Sequence, residues 1–203
     1  MPRLRQKTDE AVVEEMAISP KRRDMPLAFF KGYDQCITKI RNSKYYKYFF
    51  MEEKPVLNQH NKAEYPPMHT AEHILNGTMV KMFGCGRAVS AHVERTKSKL
   101  DYDFPRALTA EEVAAVEARV NEVIAADMPV TFSFVTQQEA ADRFDLKRLP
   151  DGASDVVRVV SVGDYDHCLC AGDHVRHTAE IGAFRISSTR YKDGRLRLVF
   201  RLS

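Results

Sequence analysis

The sequence predicts an α+β fold, an antiparallel sheet packed with helices, and three observations carry that expectation. Residues 108–130 (LTAEEVAAVEARVNEVIAADMPV) show apolar residues at helical spacing between clear start and stop signals. Residues 182–203 alternate apolar and polar on both sides of Asp193-Gly194, a hairpin signature. Between and before them, strands and helices follow one another without the strict strand–helix–strand rhythm of a doubly wound sheet.

Composition fits this class. The chain has 203 residues, 44% hydrophobic and 29% charged, which suits one core or one core plus an appendage. No apolar run approaches the roughly 20 residues that a membrane-spanning helix needs. The N-terminus starts basic, but acidic residues follow and no apolar run does, so it does not read as a secretory signal. Four cysteines (Cys36, Cys85, Cys168, Cys170) are too few for a disulfide scaffold at this length. The expected compartment is a reducing cytoplasm, where thiols stay free or bind metal. The net charge of +3 is uneven: residues 1–60 carry 12 Lys or Arg against 8 Asp or Glu, and residues 61–203 carry 19 against 20. A basic N-terminal third suits contact with a polyanion or a solvated surface.

Residues 1–65 are expected to form a partly flexible N-terminal appendage and linker. The first 24 mix charges with little periodicity, and Met25 is a plausible alternative start. Residues 27–51 interleave Tyr, Phe and Lys, which suits either the buried face of an appendage or stacking on bases. Residues 52–67 hold three prolines and read as a linker. A helix is expected over 68–83, with Pro67 at its start and Gly84 as its stop. Its apolar side comprises Ile74, Leu75, Met79, Val80, Met82 and Phe83. Residues 87–104 suit a pair of strands. In the next helix Thr109 and Glu112 form a capping box, and Pro129 ends it. A strand follows with Val130, Phe132 and Phe134 as its apolar face, then a short helix at 137–144 and a loop. Residues 156–170 give one or two strands before the final hairpin.

Two pairs of residues stand out from this frame. His69 and His73 lie four apart on the expected helix, where i and i+4 share one face. Cys170 and His174 repeat the spacing about a hundred residues later. One Cys and three His make a nitrogen-and-sulfur set suited to tetrahedral Zn2+. The fold then places a zinc site between a helix carrying HxxxH and a strand or loop carrying CxxxH. Cys168 is a rival to Cys170, because two residues apart on a strand they face the same side. His177 is either a supporting donor or an exposed residue. Cys36 and Cys85 read as ordinary thiols, and His60, His92 and His167 stay unassigned. His69, Glu72 and His73 also spell HxxEH, an inverted zinc-protease signature, but that reading leaves Cys170 and His174 unexplained.

With both pairs in hand, residues 66–203 resemble the editing domain shared by alanyl- and threonyl-tRNA synthetases and the free-standing AlaX proteins. The matching pieces are HTAEH (69–73), residues 108–130, and CAGDHVRHTAEIGAFRI (170–186), with HTAEIG favouring the alanyl branch. The resemblance implies that His69, His73, Cys170 and His174 hold zinc, at once metal ligands and catalytic centre, and so settles Cys170 over Cys168. It also implies hydrolysis of the ester of wrongly charged tRNA. Its expected substrate-binding residues are Ser90, as the hydroxyl that recognises serine, then Thr70, and Asp173. Family members often have Thr or Pro at the place of Asp173. The glycine-rich barrel of synthetases and longer AlaX proteins has no counterpart, residues 1–65 match nothing in the family, and no aminoacylation motif is visible.

The resemblance therefore implies a cytoplasmic trans-editing deacylase of mischarged tRNA, Ser-tRNA(Ala) first and Gly-tRNA(Ala) second. The alternatives are a threonyl-type deacylase acting on Ser-tRNA(Thr), a non-catalytic tRNA-binding module with structural zinc, and a zinc hydrolase of small esters or amides. The expected partner is the acceptor end of tRNA, with no membrane.

Overall fold

A computed structural model describes residues 65–146, 149 and 153–203. The expected appendage, apart from Tyr65, lies outside the described residues. None of the helices in the described part is long and apolar enough to cross a membrane.

Helix α1 spans Pro66–Phe83 and starts on proline, whose fixed φ and missing N–H suit a first turn. It ends at Gly84 in the left-handed conformation (φ 64°), which glycine adopts without strain. Every residue from Met68 to Met79 except Glu72 is buried, so α1 is a central helix and not an amphipathic surface one. Ile74, Leu75 and Met79 are fully buried as expected, whereas Val80 and Met82 are 38% and 39% exposed. The apolar stripe ends one turn before the helix does.

Helix α2 (Ala110–Ala125) carries the expected capping box at both of its bonds: Glu112 N–H donates to Thr109 Oγ1 at 3.2 Å and Thr109 N–H to Glu112 Oε2 at 2.9 Å. Its buried stripe is Val116, Val120, Val123 and Ile124, and it packs against α1.

The strands form two antiparallel sheets where the sequence suggested one. The four-stranded sheet is ordered β1-β2-β7-β6, from Ser90–His92, Ser98–Asp103, Arg195–Leu202 and Phe184–Lys192. The β6–β7 hairpin turns at Asp193 (φ 50°) and Gly194 (φ 76°), two positive φ values that match the right-handed strand twist. Leu100, Tyr102, Leu196, Leu198 and Phe200 of this sheet are fully buried and form one core with α1 and α2. The three-stranded sheet is ordered β3-β4-β5, from Val130–Thr136, Val156–Val162 and Asp166–Leu169, with a short helix α3 (Gln137–Ala141) after β3. Strand β5 packs against α1, which brings the second motif to the first. The expected apolar face of β3 is not buried: Phe132 is 64% exposed.

Candidate metal centre

The chain after β5 runs irregularly from Cys170 to His177 before a single 3-10 turn at Thr178–Ile181. This loop crosses the N-terminal half of α1. One donor atom each from His69, His73, Cys170 and His174 falls within 4.8 Å of the other three. The two pairs thus meet as the sequence motifs implied. The Cys170 thiol lies 3.4 Å from His69 Nε2 and 3.5 Å from His174 Nε2. The rings of His69 and His174 stack at 4.1 Å, and that of His73 stands edge-on to both.

The His69 and His174 imidazoles are oriented from behind. His69 Nδ1 donates to the Asp173 carbonyl at 3.0 Å, which leaves Nε2 for the centre. Thr70 is wholly buried; its hydroxyl donates to the Pro66 carbonyl at 2.9 Å and accepts from His174 Nδ1 at 3.1 Å and from Val175 N at 3.2 Å. That makes Thr70 a positioning group for His174. His73 Nδ1 faces Asp166 Oδ2 at 3.6 Å, too long for a hydrogen bond, and is a buried polar atom without a hydrogen-bond partner.

Asp166 and its partner were missed by the sequence reading. Arg87 grips the Asp166 carboxylate with two bonds, Nη1 to Oδ1 at 2.6 Å and Nη2 to Oδ2 at 3.2 Å. A polar residue inside a strand pair was the one signal for Asp166; Arg87 left none. The close approach of β5 to α1 depends on Gly77, where an added Cβ would sit 3.0 Å from Asp166 Oδ1 and 3.2 Å from its Cβ. A helix interior prefers alanine to glycine by about 1 kcal/mol. Gly77→Ala is nevertheless expected to lower the melting temperature, because Asp166 is held by Arg87 and by its own strand. A raised melting temperature would show that Asp166 can yield.

The electrostatics suit a cation. Burial opposes charge on Cys170, yet hydrogen bonds from His174, His69 and His73 and the charge of His73 outweigh it and hold the thiol down at about 2. Burial also opposes charge on His73, but Asp166, Cys170 and Glu72 raise its pKa well above the ordinary value. Burial and the charges of His73 and His69 push His174 down to about 4, against the contact with Cys170. A thiolate, imidazole rings that carry protons and a buried nitrogen without a partner form a set that exchanges protons for a metal ion. The donors, three nitrogens and one sulfur, fit Zn2+.

The other sequence candidates are not among the four clustered donors. Cys168, on β5, turns its thiol toward the Leu169 carbonyl, and burial pushes its pKa up. Cys85 donates to the Met79 carbonyl at 3.5 Å. His177 is exposed beside Asp127, His92 pairs with Glu94, and His167 meets Ser161. Ser90 stands exposed on the edge strand β1, in register with Asp101. Glu72 belongs to the centre's rim: Asn76 Nδ2 donates to its Oε1 at 2.5 Å, and its Oε2 lies 3.8 Å from His73 Nε2. Asn76 is itself fixed by the Ala88 N–H at 2.8 Å.

Residues 157–199, which include Cys170, His174 and strand β5 before their loop, match the family described as the threonyl and alanyl tRNA synthetase second additional domain. Over this segment the chain is similar to that domain. Curated relatives match over a longer stretch than the family model does. The alanine–tRNA ligases of Fervidobacterium nodosum and Bacillus subtilis are each 38% identical, over 121 and 127 residues, and that of Chlamydia pneumoniae is 34% identical over 133. These matches take in 59%, 59% and 64% of the chain but 14%, 14% and 15% of the relatives. The chain thus spans about a seventh of their length. The Cys170–His174 pair and the Asp166 strand fall inside the matched segment, and α1 supplies the remaining donors from outside it.

Proposed function

We propose that residues 66–203 act as an editing domain that hydrolyses mischarged tRNA in trans, with Ser-tRNA(Ala) as substrate and Gly-tRNA(Ala) as the second choice. The observation that carries this reading is the convergence of His69, His73, Cys170 and His174 in a chain that matches the second additional domain. These four residues would hold Zn2+, which when bound supplies Lewis acidity and a fixed point for the substrate's amino or carbonyl group.

The chain's own residues do the rest. Asp173 and Thr70 hold the rings of His69 and His174, so the centre is set before substrate arrives. Glu72, steadied by Asn76 beside the cluster, offers a carboxylate to accept a proton from the attacking water or to meet the substrate's ammonium group. Ester hydrolysis then breaks the bond between the acyl carbon and the terminal ribose oxygen. The amino acid departs as the free acid, and the ribose hydroxyl is restored. Selection of serine over alanine requires polar groups that the serine hydroxyl satisfies and alanine leaves unpaired. Ser90 and Asp173 remain the residues proposed for that contact.

The test is hydrolysis of Ser-tRNA(Ala) beside Gly-tRNA(Ala), Ser-tRNA(Thr) and correctly charged Ala-tRNA(Ala). Rapid loss of the seryl ester with sparing of the alanyl one is expected. Cleavage of Ser-tRNA(Thr) alone would move the protein to the threonyl branch. Folded, zinc-loaded protein that binds tRNA and cuts no ester would sink the deacylase in favour of a binding module.

A further inference from the structure

Phe132 is the most exposed large hydrophobic side chain among the described residues, at 64%. An exposed aromatic alone means little. Its surroundings give this one a purpose. Phe132 stands on β3, the edge strand of the smaller sheet, braced edge-on by Phe134 at 5.9 Å. The Arg158 guanidinium lies 5.7 Å from the ring centroid. That same guanidinium donates from Nε to the Cys170 carbonyl at 2.7 Å and from Nη2 to the Gly172 carbonyl. One arginine therefore ties the aromatic ring to the loop that carries two of the metal-site residues.

Phe132, Arg158, Arg176 and His174 line a common cleft of about 230 Å3. Small-molecule pockets begin near 300 Å3, so this cleft has room for one ring system rather than an extended ligand. Its wall at His174 belongs to the metal centre, and the exposed Arg176 adds positive charge at its rim.

We infer that this cleft seats the terminal, unpaired nucleoside of an RNA acceptor end, with its base stacked on Phe132. The inference rests on the deacylase reading, which puts the scissile ester, and hence the terminal ribose, at the metal centre. The base on that ribose is the nearest planar group the substrate has. Aromatic faces beside arginines are how proteins hold unstacked bases and the phosphates that follow them. Because stacking takes any base, the site reads the free end and not the sequence.

The experiment measures binding of a fluorescein-labelled single-stranded RNA ending in CCA with a free 3′ hydroxyl, by anisotropy, to the full chain and to F132A and F132Y. Melting temperature and zinc content are recorded for each. F132A is expected to raise Kd about five- to a hundredfold, the effect of removing a stacked aromatic. F132Y should keep wild-type affinity, and neither variant should change zinc content, since the ring is exposed. On RNA whose 3′-terminal residue is abasic, F132A should cost nothing further. Equal binding by F132A and wild type, an equal loss on intact and abasic RNA, or no RNA binding by the wild type would each overturn the assignment. Ester turnover by the wild type with undiminished RNA binding by F132A removes the cleft and leaves the deacylase. A base-dependent loss in F132A, with no turnover by the wild type, sustains the cleft and removes the deacylase.

Discussion

Cys170→Ala is expected to empty the metal centre, taking zinc from about one ion per chain to nearly none and ester hydrolysis to background. Three histidines would remain, but two of them owe their orientation to the loop that Cys170 anchors. Asp173 holds His69 and Thr70 holds His174, and Cys170 lies within 3.5 Å of both rings. The matched control is Cys168→Ala. Its thiol is also half-buried but meets the Leu169 carbonyl and is not one of the four clustered donors, so metal content and activity should survive. Elemental analysis of both variants beside Ser-tRNA(Ala) hydrolysis makes the comparison. Zinc retained by Cys170→Ala and lost by Cys168→Ala would reverse the ligand choice. A folded Cys170→Ala protein that loses zinc but still turns over would show the metal to be structural.

Asp166→Ala is expected to be the costliest single change behind the centre, at about 3–5 kcal/mol of folding stability. The carboxylate is buried between the Arg87 guanidinium and His73, and its loss leaves both facing an uncompensated neighbour. Arg87→Ala should cost a similar amount, because it strands the buried Asp166. The double variant should cost less than the sum of the two, since it removes both charges together. Urea unfolding of the four proteins gives the coupling. Zinc affinity is the second readout: losing a carboxylate behind a metal-binding histidine typically weakens binding about ten- to a hundredfold. Additive costs with unchanged zinc affinity would reduce the pair to a surface-like contact.

The deacylase and acceptor-end proposals meet at one loop. Residues 170–176 contribute Cys170 and His174 to the cluster, the Asp173 carbonyl to His69, and His174 and Arg176 to the cleft. Arg158 fastens that loop from β4 through two of its carbonyls. Under those two proposals, ester chemistry lies on one side of His174 and recognition of the free RNA end on the other.

Local pattern was enough for the parts of this protein that depend on near neighbours. The capping box of α2, the glycine stop of α1 and the Asp193-Gly194 hairpin each follow from residues a few positions apart, so they were readable directly. The two motif pairs were readable for the same reason, since spacing of four is a local property. That the pairs belong together followed from their shared ligand chemistry and from the resemblance; the structure then brought them within reach of each other. Only the tertiary structure decided what lies behind and beside them. Asp166 reaches His73 because Gly77 lets β5 approach α1, a contact across 89 positions of sequence. Thr70 props His174 because a loop from 104 residues away lies against it. Phe132 alternates like a buried residue, yet it faces solvent, with Arg158 and Phe134 beside its ring. Periodicity tells which residues share a face; what that face meets is settled by segments distant in the chain.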